Sequence, residues 1–405
     1  MKEAEWKQSL KERILQQIDY SRELSDEEVE DLIDEMMLRD EKVQMFSVQS
    51  RRRVRRELFD SLRRLDILQM FVDDPDITEI MINGKDRMFA ERHGQLEELP
   101  IRFESSEKLM QVIQQIVAGC NRVVNEASPI VDARLENGAR VNIVMQPVAL
   151  NGPVVTIRRF PERPIRMEDL LEKQSLTPEA AQLLKVLVEA GYNIFISGGT
   201  GSGKTTLLNV LSGYIPPVER VITIEDNAEL QLQGIRNLVS LEVRNSNLEG
   251  CREITIRDLI KTSLRMRPDR LVVGEVRSEE AADMLQAMNT GAEGSMSTGH
   301  ANSAADMLRR LETMTRMGMD IPLQAIREQI GSGIDILIHL GRLPDHSRRV
   351  LEIVELVGYD GENYRLNPLF SFETRAGQEQ SGGQLCRKGE LIRVEKLQRA
   401  GLYRA

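Results

Sequence analysis

Residues 194–206 read Ile-Phe-Ile-Ser-Gly-Gly-Thr-Gly-Ser-Gly-Lys-Thr-Thr, an apolar run that breaks into glycines and closes on a lysine and two threonines. Within it Gly198, Gly199, Thr200, Gly201, Ser202, Gly203, Lys204 and Thr205 satisfy G-x-x-x-x-G-K-[ST], with Thr206 beside them. The setting gives the pattern its weight, because 193–197 reads as a strand and a helical stretch follows Lys204. Glycines let successive backbone N–H groups curl around phosphate oxygens without Cβ clashes, and the helix start adds the positive end of its dipole. Lys204 adds a full charge, and Thr205 offers a hydroxyl to a hard cation such as Mg2+. The stretch predicts a nucleoside triphosphate held on 198–206.

Beyond the loop, strands alternate with helices: a strand over 220–224, a helix over 256–266 and a strand over 270–274. This alternation predicts a parallel sheet wrapped by helices, an α/β domain. Glu225 and Asp226 close one strand and Glu275 closes another, at the carboxyl ends where parallel sheets bind ligands. For either carboxylate alone, a plain strand cap is the lesser reading. Together, after a phosphate loop, they point to hydrolysis, which needs a carboxylate to orient or deprotonate water. His300 stands in small polar surroundings, 294–302, that suit an imidazole near a γ-phosphate, and on the residues alone a structural histidine is an equal reading. Positive charge for a transition state is available from Arg158 and Arg159, with Arg140 and Arg134 as weaker candidates; surface salt bridges are the alternative for all four.

Toward the N-terminus, 71–162 reads as a compact α+β unit. It has strands over 78–83 and 87–91 ending near His93 and Gly94, a helix over 106–118, and strands over 138–145 and 153–160. Residues 1–70 read as a helical extension, with Leu10, Ile14 and Ile18, then Leu58, Leu62 and Leu65, at helical spacing. Acidic residues crowd 23–41, and Arg51, Arg52, Arg53, Arg55 and Arg56 form a basic run; a solvated face is the first reading and a docking surface for an acidic partner the second. Pro161, Pro164 and Pro178 mark 163–178 as a linker onto a nucleotide-binding domain over 179–373. That domain includes a hairpin turning at Asp360 and Gly361. Residues 374–405 read as a tail, with a polar surface loop over 376–384.

A chain of 405 residues implies two or three domains, and 41% apolar with 29% charged residues is a globular composition. Only 4% aromatic residues and a net charge of -10 argue against direct nucleic-acid binding. Cys120, Cys251 and Cys386 are scattered, which excludes a cysteine-based zinc module and fits a reducing compartment. The charged start (Met1, Lys2, Glu3, Glu5, Lys7) lacks a signal-peptide core, and no run of 18 apolar residues follows. The expectation is a cytoplasmic chain that meets a membrane only through a partner.

Four separated segments stand out together: 198–206; Ile224, Glu225 and Asp226; 264–277 (LRMRPDRLVVGEVR); and 294–303 (GSMSTGHANS). From about residue 70 to 345 the chain resembles the ATPases that power type II and type IV secretion, most closely the branch serving tight-adherence (Flp-type) pili. The segments are similar to that family's Walker A, Asp box, Walker B and His box, in the same order. The resemblance implies ATP and Mg2+ as ligands and a RecA-like P-loop motor domain behind the small α+β domain. It further implies a homo-hexameric ring at the cytoplasmic face of the inner membrane. Such a ring acts on an inner-membrane platform protein to drive pilus assembly or protein secretion. It assigns Glu225 to activating water, Glu275 and Thr205 to Mg2+, and His300 to sensing the γ-phosphate. Arg158, Arg159 and Arg140 correspond to arginines that reach the nucleotide from the N-terminal domain. Gly274 departs from the generic Walker B pattern, which has an Mg2+-binding Asp there, so Glu275 takes both duties or acts through water. The lack of paired cysteines favours the tight-adherence or conjugation branch. Two alternatives stay open: a conjugation-type secretion ATPase with the same active site, and a nucleotide-gated structural ring that would not need Glu225.

Overall fold

The computed structural model describes residues 3–18, 22, 24–92, 94–120, 122–159, 163–244, 252–374 and 383–403. His93, Phe160, Pro161, Cys251 and residues 376–382 of the expected surface loop lie outside them. Two compact units divide the chain, Met1–Glu162 and Arg163–Ala405.

The first unit opens with α1 (Glu3–Gln17), α2 (Asp26–Arg39) and α3 (Val48–Arg63). Each contributes an apolar stripe at helical spacing: Trp6, Leu10 and Ile14; Val29 and Ile33; Val54 and Leu58. Trp6 stacks on Phe46 with ring centroids 4.3 Å apart. Ser25 and Glu28 cap α2 reciprocally, at 3.2 and 2.8 Å. Arginines of α3 pair with acids of α1 and α2. Arg55 Nε donates to Asp34 at 2.6 Å and its Nη2 to Glu30 at 2.9 Å, Arg63 reaches Asp26 at 2.8 Å, and Arg53 pairs with Glu3. Arg53, Arg55 and Arg63 therefore close the bundle on itself.

After α4 (Gln69–Val72) come β1 (Ile77–Asn83), β2 (Arg87–Arg92), β3 (Gln95–Glu98), α5 (Ser106–Gly119), β4 (Ile130–Arg134), β5 (Arg140–Val144) and β6 (Val154–Arg158). The strands form an antiparallel sheet in the order β3-β2-β1-β6-β5-β4. Leu109, Val112, Ile113 and Ile116 of α5 cover one face, meeting Ile80, Ile82, Val141, Ile143, Val155 and Ile157. Alternation turns the intervening residues to the other face. There Glu79, Arg158, Arg140 and Arg134 stand in one row across β1, β6, β5 and β4. Arg159 leaves that row, and its guanidinium donates to the carbonyls of Asp74 and Ile77.

The second unit begins with α6 (Met167–Glu172), α7 (Pro178–Glu189), β7 (Ile194–Gly198), α8 (Lys204–Ser212), β8 (Arg220–Glu225), β9 (Asn237–Glu242) and α9 (Ile256–Ser263). It continues through β10 (Arg270–Val273), α10 (Glu280–Asn289), β11 (Met296–Gly299), α11 (Ala304–Gly318), α12 (Leu323–Gly333) and β12 (Ile336–Arg342). It closes with β13 (Arg348–Tyr359), β14 (Tyr364–Thr374), β15 (Gly383–Arg387) and α13 (Glu395–Arg399). Its sheet runs β15-β14-β13-β12-β7-β11-β10-β8-β9. The strands from β12 to β9 are parallel, and β13, β14 and β15 add an antiparallel meander. Ile194 and Ile196 of β7 pack in the layer of α7 and α8, whereas Phe195 packs in that of α9 to α12. The unit is a RecA-like α/β core with helices on both faces.

Two expectations are corrected. The segment 163–178 is not a bare linker: it contains α6, and Met167, Leu170 and Leu176 are buried in the same core as α7 and α8. Nor is 374–405 a tail, because β15 extends the sheet and buries Leu385, and α13 buries Leu397. Gln384, expected in a surface loop, pairs with Glu373.

Candidate nucleotide site

Four neighbouring parallel strands, β7, β11, β10 and β8, end at the same edge of the sheet. β7 runs into the glycine loop, β11 into His300, β10 into Gly274 and Glu275, and β8 ends on Glu225. Adjacent parallel strands lie about 4.8 Å apart, so residues distant in sequence are brought within side-chain reach.

The loop needs its glycines for definite reasons. Gly201 and Gly203 have φ of 69° and 98°, where a Cβ is disfavoured. A Cβ at Gly198 would stand 2.5 Å from Ser202 Oγ and 2.6 Å from the Leu340 carbonyl oxygen. Lys204 opens α8, is 8% exposed, and donates to the carbonyls of Gly198 at 3.2 Å and Gly199 at 3.0 Å. Burial holds its ammonium below the ordinary lysine range. Thr205 and Thr206 follow in the first helical turn, whose unpaired N–H groups face the loop.

A line of contacts leads away from Lys204. Its Nζ lies 3.3 Å from His300 Nδ1, and His300 Nε2 lies 2.7 Å from Glu275 Oε1. Glu275 Oε2 receives Arg277 Nε at 2.8 Å and Nη2 at 2.6 Å, and Arg277 Nη1 stands 3.1 Å from Asp226 Oδ2. An ammonium only donates, so Nδ1 is the acceptor and the proton of a neutral ring sits on Nε2, toward the carboxylate. Burial lowers the His300 pKa; Glu275 opposes the shift, while Lys204 and Arg277 reinforce it.

Glu225 is set apart from that line. It is 3% exposed, and its Oε1 accepts the backbone N–H groups of Glu229 and Leu230, both at 3.0 Å. Burial drives its carboxyl from 4.5 up to about 7, partly offset by those two N–H donors. Its neighbour explains the departure at Gly274, where a Cβ would lie 3.1 Å from Glu225 Cγ and 3.5 Å from Oε1. The glycine gives the glutamate its place. Gly274→Ala should therefore displace the carboxylate by a few tenths of an ångström and lower phosphate release about tenfold, with nucleotide affinity kept. Steady-state release at saturating ATP checks this, and an unchanged rate would show that the site tolerates the shift.

Arg158, Arg140 and Arg159 belong to the first unit, in the places described above. Sequence reasoning left Arg277 without a role, and also the contact of Ser197 Oγ with His339 Nδ1 at 3.0 Å, just before the loop. Arg277 stands two residues after Glu275, a spacing that carried a signal; the partner of Ser197 is far along the chain and gave none. Among the described residues no group of three or more His, Cys, Asp or Glu side chains is arranged to hold a metal, and no helix is long and apolar enough to cross a membrane.

Residues 62–388 match the family described as Type II/IV secretion system protein. The chain is 33% identical over 312 residues to a putative conjugal transfer protein of Mycobacterium tuberculosis, covering 76% of this chain and 88% of that one. It is 34% identical over 326 residues to the conjugal transfer protein TrbB of Rhizobium radiobacter, covering 79% and 96%. Among solved structures, the pilus retraction motor PilT with bound ADP shares the fold at a TM-score of 0.53 and 19% identity, covering 84% of this chain and 88% of that one.

Proposed function

Because this chain belongs to the Type II/IV secretion system protein family, we propose that it is a P-loop ATPase whose hydrolysis of ATP drives pilus assembly or protein secretion. In this reading it works as a homo-hexamer at the cytoplasmic face of the inner membrane, against a platform protein of that membrane. The observation that carries the reading is the convergence of Glu225, Glu275 and His300 on strand ends around one glycine loop. Binding alone needs only the loop and Lys204; the carboxylates beside it are what turnover needs.

This reading gives each residue a role that the geometry supports. Loop N–H groups and Lys204 hold the phosphates, and Lys204 can exchange its loop carbonyls for phosphate oxygens. Glu225, with one oxygen fixed by two N–H donors, presents the other to the attacking water as its base. His300 touches both Lys204 and Glu275, and so senses what Lys204 binds. In this reading the arginine that meets the developing charge is one of Arg158, Arg140 and Arg159; Arg158 and Arg140 stand side by side on one face, and Arg159 donates to backbone carbonyls of its own unit. The donor set fits Mg2+, which takes few protein oxygens and completes its shell with phosphate and water. Thr205 would hold it directly and Glu275 directly or through water, Glu275 Oε1 being buried without a hydrogen-bond partner. Bound there, the cation offsets phosphate charge.

Lys204→Ala tests the reading. Fluorescent ADP binding should weaken by about a hundredfold or more and phosphate release should vanish, while the melting temperature without nucleotide stays near wild type. Hydrolysis by that variant at the wild-type rate would sink the proposal. The conjugal-transfer names of two relatives favour a second reading, a conjugation-type secretion ATPase with the same chemistry. Cross-linking in cells separates the two: a pilus platform protein is recovered in one case, components of a conjugation channel in the other.

A further inference from the structure

We propose that Arg277 is a positioning residue of the hydrolytic site, a fork that holds Glu275 and Asp226 in fixed relation at the ends of neighbouring strands. The inference rests on the ATPase reading above. Two of its nitrogens, Nε and Nη2, meet the same oxygen of Glu275 at 2.8 and 2.6 Å, while Nη1 lies 3.1 Å from Asp226. The backbone behind the fork is also fixed. The N–H groups of Arg277 and Ser278 both donate to Glu280 Oε1, at 2.6 and 2.9 Å, and Glu280 is 8% exposed at the start of α10.

This arrangement has a physical purpose. Asp226 follows β8 and Glu275 follows β10, paired parallel neighbours, so the two carboxylates stand about one strand spacing apart and repel. A guanidinium between them removes the repulsion and holds one oxygen of Glu275, with the other 2.7 Å from His300 Nε2. Lysine brings one point charge and cannot grip both carboxylates in a set geometry. The Arg277 side chain is 60% exposed, so its removal opens no core. Arg277 thus acts through Glu275 and His300, and its loss should slow turnover without loosening the nucleotide.

Arg277→Ala and Arg277→Lys, assayed in the full chain with Mg-ATP, test this. The alanine variant should lose about thirty- to three-hundredfold in kcat, with ADP affinity within about threefold and melting temperature within about 2 °C of wild type; lysine should recover part of the rate. Adding Asp226→Asn to Arg277→Ala should cost less than the two single losses combined, since both break one bridge. A kcat within about threefold of wild type overturns the proposal, as does a fall in kcat matched by lost ADP affinity or a collapsed melting temperature. Wild-type protein that releases no phosphate, beside a Lys204→Ala variant that binds ADP normally, would instead overturn the ATPase reading and this inference with it.

Discussion

Glu225→Gln should cut phosphate release by about a hundred- to ten-thousandfold while ADP still binds, because the amide keeps an oxygen for the N–H groups of Glu229 and Leu230 but cannot take a proton from water. The pH dependence should identify the same group. With a carboxyl at about 7, wild-type turnover should fall as pH drops through neutrality, by about tenfold at pH 6, and level off above pH 8. Stability should move the other way. The folded-state pKa is raised, so between 4.5 and about 7 the folded chain holds a proton that the unfolded chain releases, and stability is lost as pH rises through that window. The full loss is about 3 kcal/mol. Glu225→Gln should thus melt above wild type at pH 8, with the difference closing toward pH 5. Undiminished hydrolysis in this variant would move the base elsewhere, and no hydrolysis by the wild type would favour the nucleotide-gated ring.

Asp335→Ala should destabilise the second unit by about 3–5 kcal/mol, lowering its melting temperature by roughly 10 °C. Asp335 is 2% exposed; its Oδ2 accepts from the Asn193 N–H at 2.8 Å and Lys396 Nζ at 2.7 Å, and Oδ1 lies 3.2 Å from Arg393. Beside it the fully buried Glu355 accepts the N–H groups of Ile392 and Arg393, at 2.9 and 2.7 Å. These two carboxylates fasten the chain's last helix to the foot of β7. Alanine leaves Lys396 largely buried with only the Gly191 carbonyl and no carboxylate, and strands the N–H of Asn193. Asp335→Asn, which keeps an acceptor but not the charge, should fall between. Scanning calorimetry decides, and a loss below about 1 kcal/mol would mean that the fastening is slack.

The parallel core and the loop were legible because their signals are local: an apolar strand, a glycine run and a helix in immediate succession, repeated with an acid at each strand end. Glu225, Glu275 and His300 could be singled out for the same reason, although only the contacts of Glu225 with the N–H groups of Glu229 and Leu230 set it apart from the Lys204 to Asp226 line. The error at 163–178 came from reading prolines as breaks. Pro178 in fact sits at the first position of α7, behind the capping Thr177, where proline starts a helix. The last helix was missed because Asp335 and Glu355, which hold it and the residues before it, lie far back in the sequence. Long range also hid the fate of Arg53 and Arg55, whose partners are on other helices. β3 gave no pattern, since all four of its residues are exposed.

The fit between Gly274 and Glu225 binds two positions into a single inherited character. Any side chain at 274 must enter space that the glutamate fills, and any shift of the glutamate leaves a hollow over the glycine. Along a lineage, either position should change only when the other changes with it. A descendant that carries a residue larger than alanine before Glu275 should have moved its base to another strand or ceased to hydrolyse.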